Sequence, residues 1–302
     1  MGDDFAVNDS CEDQIADLGS LGFADTAPNS FAGRDEGVDH VEPWYRDAIQ
    51  TGARQVRPLP HHVLDRINSP SALREHLLGL LVSDIAKTGI DHRRELNETV
   101  ADLMRLILRG WPPGYDWHPE LKATLMDLLL NRLRDSETGY WGERYETAAG
   151  TIQTLDLSLT FHIVSYLDGA VPDWPKLIDT TLAIKDRRYP NGWQSTTGYA
   201  NHHDMDVVEL MRLGWPHASE TQRAAMAKEI GLMLDWCLSR SLQPDGSFKI
   251  SPEDESLETS YYFGTAFLVR AGYFDKARRF WTDREFPEAA AALKAGITIA
   301  TR

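Results

Sequence analysis

The sequence predicts an all-α protein built from paired helices, on three observations: apolar runs at helical spacing, a recurring segment, and helix-ending glycines at a near-regular interval. The clearest run is Leu73, Leu77, Leu78, Leu81 and Ile85, which opens at Ser69 or Ser71 beside Pro70, residue types that start a helix. Further amphipathic runs cover about 92–109, 119–134, 151–168, 174–185, 201–213, 219–241, 257–271, 275–282 and 286–299, separated by Gly, Pro, Asn and Asp. Strand signals are scarce and no hairpin is expected.

The runs repeat. Ala101-Asp-Leu-Met-Arg-Leu-Ile-Leu-Arg-Gly-Trp-Pro112 returns in shortened form as Val208-Glu-Leu-Met-Arg-Leu-Gly-Trp-Pro216. Gly110, Gly169, Gly214 and Gly272 follow helical runs, about 54 residues apart on average, and suit left-handed C-terminal caps. Three turns place a glycine just before aromatic residues: Asp135-Ser-Glu-Thr-Gly-Tyr-Trp141, Tyr189-Pro-Asn-Gly-Trp193 and Gln243-Pro-Asp-Gly-Ser-Phe248. The unit reads as outer helix, Gly-aromatic turn, inner helix and glycine stop, repeated roughly four to six times.

Bulk properties narrow the function classes. A chain of 302 residues with 42% hydrophobic residues buries a large core. Residues 1–40, rich in Asp, Gly, Ser and Ala without an apolar period, are expected to be a disordered N-terminal segment, and residues 41–302 a single domain. A net charge of −15 repels phosphate backbones and anionic lipid, which argues against nucleic acid as a partner. Cys11 and Cys237 build neither a disulfide framework nor a cysteine-rich zinc site. No run reads as a transmembrane span. Asp3 and Asp4 stand where a secretion signal carries positive charge, so a cytoplasmic location is expected.

The Gly-aromatic turn between paired helices resembles the repeats of the terpenoid cyclase and protein prenyltransferase toroid superfamily, whose fold is similar to the α/α barrels of many polysaccharide lyases and glycosidases. The resemblance spans about residues 71–300 and rests on pattern. It implies an α/α toroid of about five to six helical hairpins, two concentric rings, with the reactive pocket where the inner helices begin. Within that frame the inner-helix starts bring Glu95, Asn97 and Glu98 together with Thr151, Gln153, Thr154 and Asp156, then Asn201, His202, His203, Asp204 and Asp206, then Glu255, Glu258, Tyr261 and Tyr262.

The densest set is Gly198-Tyr-Ala-Asn-His-His-Asp-Met-Asp206. His202 and Asp206 lie four residues apart, on one helix face, where the carboxylate is expected to orient the imidazole as a base and raise its pKa. Candidate catalytic residues are therefore His202, Asp204, Asp206, Asp156, Glu258 and Tyr261. Trp141, Gln153, Trp193, Asn201, His203 and Tyr262 are candidates for substrate binding, the tryptophans as flat platforms or as wedges between repeats. Adjacent positions on a helix point apart, so no metal site is expected from this run alone.

Three readings follow. A carbohydrate-active enzyme suits the polar set: a lyase with His202 or Tyr261 as base and Asn201 or Gln153 steadying an enolate, or a hydrolase pairing Asp156 or Asp206 with Glu258. A terpenoid cyclase-like enzyme would use Asp204 or Asp206 as acid on a prenyl diphosphate, the one case that calls for magnesium, with Lys185, Arg187, Arg188 and Arg144 as diphosphate contacts. Asp204-Met-Asp206-Val-Val208 lacks the second adjacent aspartate of the diterpene cyclase motif Asp-x-Asp-Asp, and Cys237, in an outer helix, departs from the prenyltransferase zinc set. The third reading is a noncatalytic helical module that presents its cavity to a protein partner.

Overall fold

The computed structural model describes residues 62–110, 114–250 and 256–289. The expected disorder of residues 1–40 and most of the run at 286–299 lie outside the described residues. Helix α1 spans His62–Ile67 and α2 spans Pro70–Leu81; α2 starts on the Ser69 hydroxyl, which accepts from the Ala72 amide at 3.2 Å, with Pro70 filling a first-turn position where no N–H is needed. A two-residue strand β1 (Val82–Ser83) and a short α3 (Ile85–Thr88) lead to α4 (Arg93–Leu103), which runs on as a π turn over Met104–Leu108. Helix α5 (Leu121–Asp127) likewise continues as π helix through Leu133.

Next come β2 (Arg144–Thr147) and β3 (Gly150–Gln153), then α6 (Leu157–Tyr166), α7 (Trp174–Ala183) and α8 (Asn201–Gly214). Helix α9 (Glu220–Trp236) begins with a reciprocal Ser219–Gln222 capping box and ends in a π turn over Cys237–Ser241. Helix α10 (Leu257–Arg270) starts on Ser256. The helical class agrees with the sequence, and among the described residues no helix is long and apolar enough to cross a membrane.

The helices form two layers. Helices α4, α6, α8 and α10 pack side by side in chain order as an inner row; α2 and α5 pack on each other and on α4, and α7 lies against α8 and α9. Apolar stripes zip the layers: Leu96 and Val100 of α4, Ile163 and Val164 of α6, Leu177 of α7, Val207 and Val208 of α8 and Ile230 of α9 are all fully buried. Each such side chain stabilises the fold by about 1.5–3 kcal/mol over leaving it in water.

Two expectations are corrected. The run at 151–168 is not one helix: its first residues form β3, paired antiparallel with β2 from Arg144↔Gln153 to Thr147↔Gly150, and the helix begins only at Leu157. Strand β2 also pairs parallel with β1, giving sheet order β1-β2-β3. The apolar period of α6 is read too early because Ile152, the lone aliphatic of β3, is in fact 54% exposed. Among the stop glycines, Gly110, Gly169 and Gly272 take left-handed φ values of 64°, 74° and 66°. Gly214 does not: its φ is −77° and the chain continues as a 3₁₀ turn, because a Cβ there would lie 2.9 Å from the Trp174 ring. Its role is close approach rather than capping.

The Gly-aromatic turns pin the layers. Trp141 and Trp193 are fully buried, and the Trp141 indole donates to the Leu129 carbonyl at 2.6 Å. Phe248 of the third turn lies over Gly264 of α10, where an added Cβ would meet its ring at 2.5 Å.

Candidate active site

Three inner helices and one turn assemble a buried polar cluster. Asp156 is the N-cap of α6: its Oδ1 accepts from the Leu159 amide at 2.9 Å, and its Oδ2 lies 2.8 Å from Arg93 Nε in the first turn of α4. Burial raises the Asp156 pKa, while the Arg93 charge and the helix-start amides oppose the rise. Asp206, one turn into α8, accepts from the Tyr189 hydroxyl at 3.2 Å through Oδ2; its Oδ1 has no hydrogen-bond partner among the described residues. Burial pushes the Asp206 carboxyl well above the usual carboxylate range; Tyr189 and Arg270 pull it down, and Asp156 and Glu209 push it further up. The two carboxylates thus sense each other across the α6–α8 contact, and each is 1% exposed.

A further pair of hydrogen bonds links α4 to α6. Asn97 Nδ2 donates to Ser158 Oγ at 2.8 Å, which turns Asn97 Oδ1 toward His162 Nδ1 at 2.9 Å. An amide oxygen only accepts, so His162 carries its proton on Nδ1 and leaves Nε2 as the basic nitrogen. Burial, then the Arg105 charge, push the His162 pKa down to about 4. Tyr166, one turn further along α6, stacks on this ring at 6.0 Å.

His202 departs from its expected role. It is half-buried with its ring stacked on Phe263 of α10 at 3.9 Å, and burial followed by the neighbouring His203 and His162 lowers its pKa to about 3. The carboxylate four residues on does not raise that pKa as the spacing suggested, since Asp206 is bonded to Tyr189. His203 Nδ1–H donates to the Trp193 carbonyl at 2.9 Å, and its ring lies parallel to Tyr189 at 3.8 Å.

The remaining candidates do not join this cluster. Asp204 is fully buried on the other side of α8, within range of the Cys237 thiol of α9, with neither carboxylate oxygen hydrogen-bonded among the described residues. Asn201 donates to Ser241 Oγ at 2.7 Å, toward α9. Gln153 lies on β3, where its amide donates to the Leu133 carbonyl and accepts from Arg144. Trp141 and Trp193 are core, with no face open to a ligand. Glu258 is exposed at the start of α10, and Tyr261 and Tyr262 are 36% and 37% exposed, in edge contact with Phe248 and Phe263.

Comparison of the chain with protein-family models, with curated proteins and with solved structures finds no match. The chemistry therefore rests on the cluster itself. It joins Asp156, Asp206 and His203, all expected, with Arg93, Ser158, His162 and Tyr189, none of which the sequence reading selected for catalysis or binding. Among the described residues no group of three or more His, Cys, Asp or Glu side chains could hold a metal ion. What the cluster can do is proton transfer: two coupled carboxyls held in different environments favour one protonated and one ionised partner.

Proposed function

We propose that the two helical layers close as an α/α toroid and that the chain is a carbohydrate-active enzyme, a hydrolase with Asp206 as general acid and Asp156 as base or nucleophile. One observation carries this reading: the paired carboxylates differ in their contacts, Asp156 lying against the Arg93 guanidinium and a backbone amide, Asp206 hydrogen-bonded to a phenol alone, with the Arg270 charge acting only at longer range. A cation and an amide favour the charged form; burial with a single neutral donor favours the protonated form. That is the division of labour glycoside hydrolysis requires. Glu258, expected as the second carboxylate, is replaced in the role by Asp156.

The half-buried groups beside the pair, Arg93, Asn97, His162, Tyr189 and His202, offer hydrogen bonds and ring faces suited to a hydroxyl-rich ligand. The lyase variant is less well supported. Imidazoles with pKa near 3 and 4 are weak bases at neutral pH, and Tyr261 stands apart from the cluster. For a terpenoid cyclase, Asp204 and Asp206 do not act on one side of α8, and the Lys185 ammonium is engaged by Glu229 at 2.7 Å.

The test is release of new reducing ends from a panel of neutral and acidic oligosaccharides, with prenyl diphosphates plus magnesium in parallel. Turnover that falls at least about 10³-fold in both Asp206→Asn and Asp156→Asn, with unfolding transitions retained, is the expected result. Saccharide hydrolysis indifferent to both substitutions, or turnover of a prenyl diphosphate alone, would overturn it.

A further inference from the structure

Two separate sets of hydrogen bonds lie in the cluster, and only one of them reaches Asp206. His162 Nδ1–H donates to Asn97 Oδ1, Asn97 Nδ2 donates to Ser158 Oγ, and Tyr189 O–H donates to Asp206 Oδ2.

We propose that Tyr189 is the positioning residue for Asp206: its hydroxyl occupies Oδ2 as a donor and leaves Oδ1 as the oxygen that carries and delivers the carboxyl proton. Three observations support the assignment. The Tyr189 hydroxyl already donates to Oδ2, whereas Oδ1 is buried with no partner among the described residues, so the proton sits better on the oxygen that lacks a donor. The other phenol near the pair, Tyr140, already has its hydroxyl bonded to Thr181 Oγ1 at 2.9 Å. The Tyr189 ring is fixed by its parallel stack on His203, itself tied to the Trp193 carbonyl. When the proton leaves Oδ1, the Tyr189 bond becomes charge-assisted and stabilises the carboxylate that forms.

The inference rests on Asp206 being the acid, but its test does not need turnover. The groups facing Asp206 are Tyr189 from the turn, Asp156 from the α6 start, Glu209 on α8 and Arg270 on α10, and all but Tyr189 are left intact by Tyr189→Phe, which also preserves the stacked ring. Carbon-13 NMR of aspartate-labelled protein, with the Asp206 carboxyl assigned by its loss in Asp206→Asn, follows the titration directly. Removing a donor to the charged form should move the midpoint up by about one to two pH units. Where turnover is found, the alkaline limb of its pH profile should follow the same shift while its maximum falls. An unchanged Asp206 titration in Tyr189→Phe overturns the inference; a shifted titration in a protein silent toward every saccharide upholds it and sinks the hydrolase reading instead.

Discussion

Asp204 and Asp206 stand two residues apart on one helix and are both buried, yet they face opposite layers: Asp206 meets Tyr189 among the inner helices, and Asp204 turns toward Cys237 of α9. Two positions on an α-helix are separated by about 200°, so a shared role in one pocket is excluded by geometry. Their energetic situations differ as well. Asp206 has a donor; Asp204 has none among the described residues.

Asp204→Asn should therefore flatten the pH dependence of stability. Burial holds the Asp204 carboxyl well above its ordinary range, so the folded state binds this proton more tightly than the unfolded state. Stability from that proton is present below the unfolded pKa of about 4 and is lost as pH rises toward the folded value, at about 1.4 kcal/mol per unit. Thermal or urea unfolding at pH 4.5 and 7.5 checks this: the variant should gain on the wild type as pH rises.

His202 predicts the opposite slope. It is neutral in the fold with pKa near 3, so stability present above about pH 6.5 is lost as the solution is acidified toward pH 3. His202→Leu should lose less than the wild type between pH 7.5 and 4.5, by about 2 kcal/mol, in denaturant titrations. An equal loss in both proteins would show that the imidazole is not held neutral.

Arg93 and Asp156 form a half-covered ion pair whose carboxylate is buried. Arg93→Met strands that carboxylate and should cost about 2–3 kcal/mol, below the figure for a fully buried pair because Arg93 is 28% exposed. Adding Asp156→Asn should restore part of the loss. A double-mutant cycle by urea unfolding gives the coupling, and additive single effects would mean the pair contributes nothing.

The helical class, the order of the main helices and two carboxylates of the buried cluster, Asp156 and Asp206, were legible from periodicity, repeats and helix-start chemistry. The hairpin was not, because a mostly exposed sheet of Arg, Tyr, Glu, Thr and Gln gives little apolar alternation. Glu258, Tyr261 and Tyr262 were expected inside because every inner-helix start was treated alike, whereas the first turn of α10 stays at the surface. Ser158, His162 and Tyr166 carried a usable signal: polar or aromatic residues at four-residue spacing on a helix whose other residues, Thr160 and Ser165 apart, are Leu, Phe, Ile and Val. Arg93 and Tyr189 had no such mark, since their partners lie far away in sequence.

Gly264→Ala tests the packing of the third Gly-aromatic turn. Its methyl would enter the Phe248 ring, so a loss of about 1–3 kcal/mol is expected from overpacking. Gly79→Ala is the control: it lies in α2 with open space around the new methyl and should gain about 0.5–1 kcal/mol from helix propensity. Equal effects in chemical denaturation would contradict the close approach.

The parallel pairing of Val82 with Arg144 and Ser83 with Tyr145 bears on the order in which the chain folds. The inner row is no more local than the sheet, since Asn97 of α4 reaches Ser158 and His162 of α6 across 61 and 65 residues. The sheet likewise ties two residues after α2 to a strand that emerges from synthesis roughly sixty residues later, a closure whose entropy must be met before any ladder bond forms. During translation, α2 and α4 can collapse together while the sheet is still incomplete. The contact of Ser83 with Glu143, beside the loop leading to Arg93, closes over nearly the same span of chain as Arg93 with Asp156, so the carboxylate pair and its setting wait on the same stretch of synthesis.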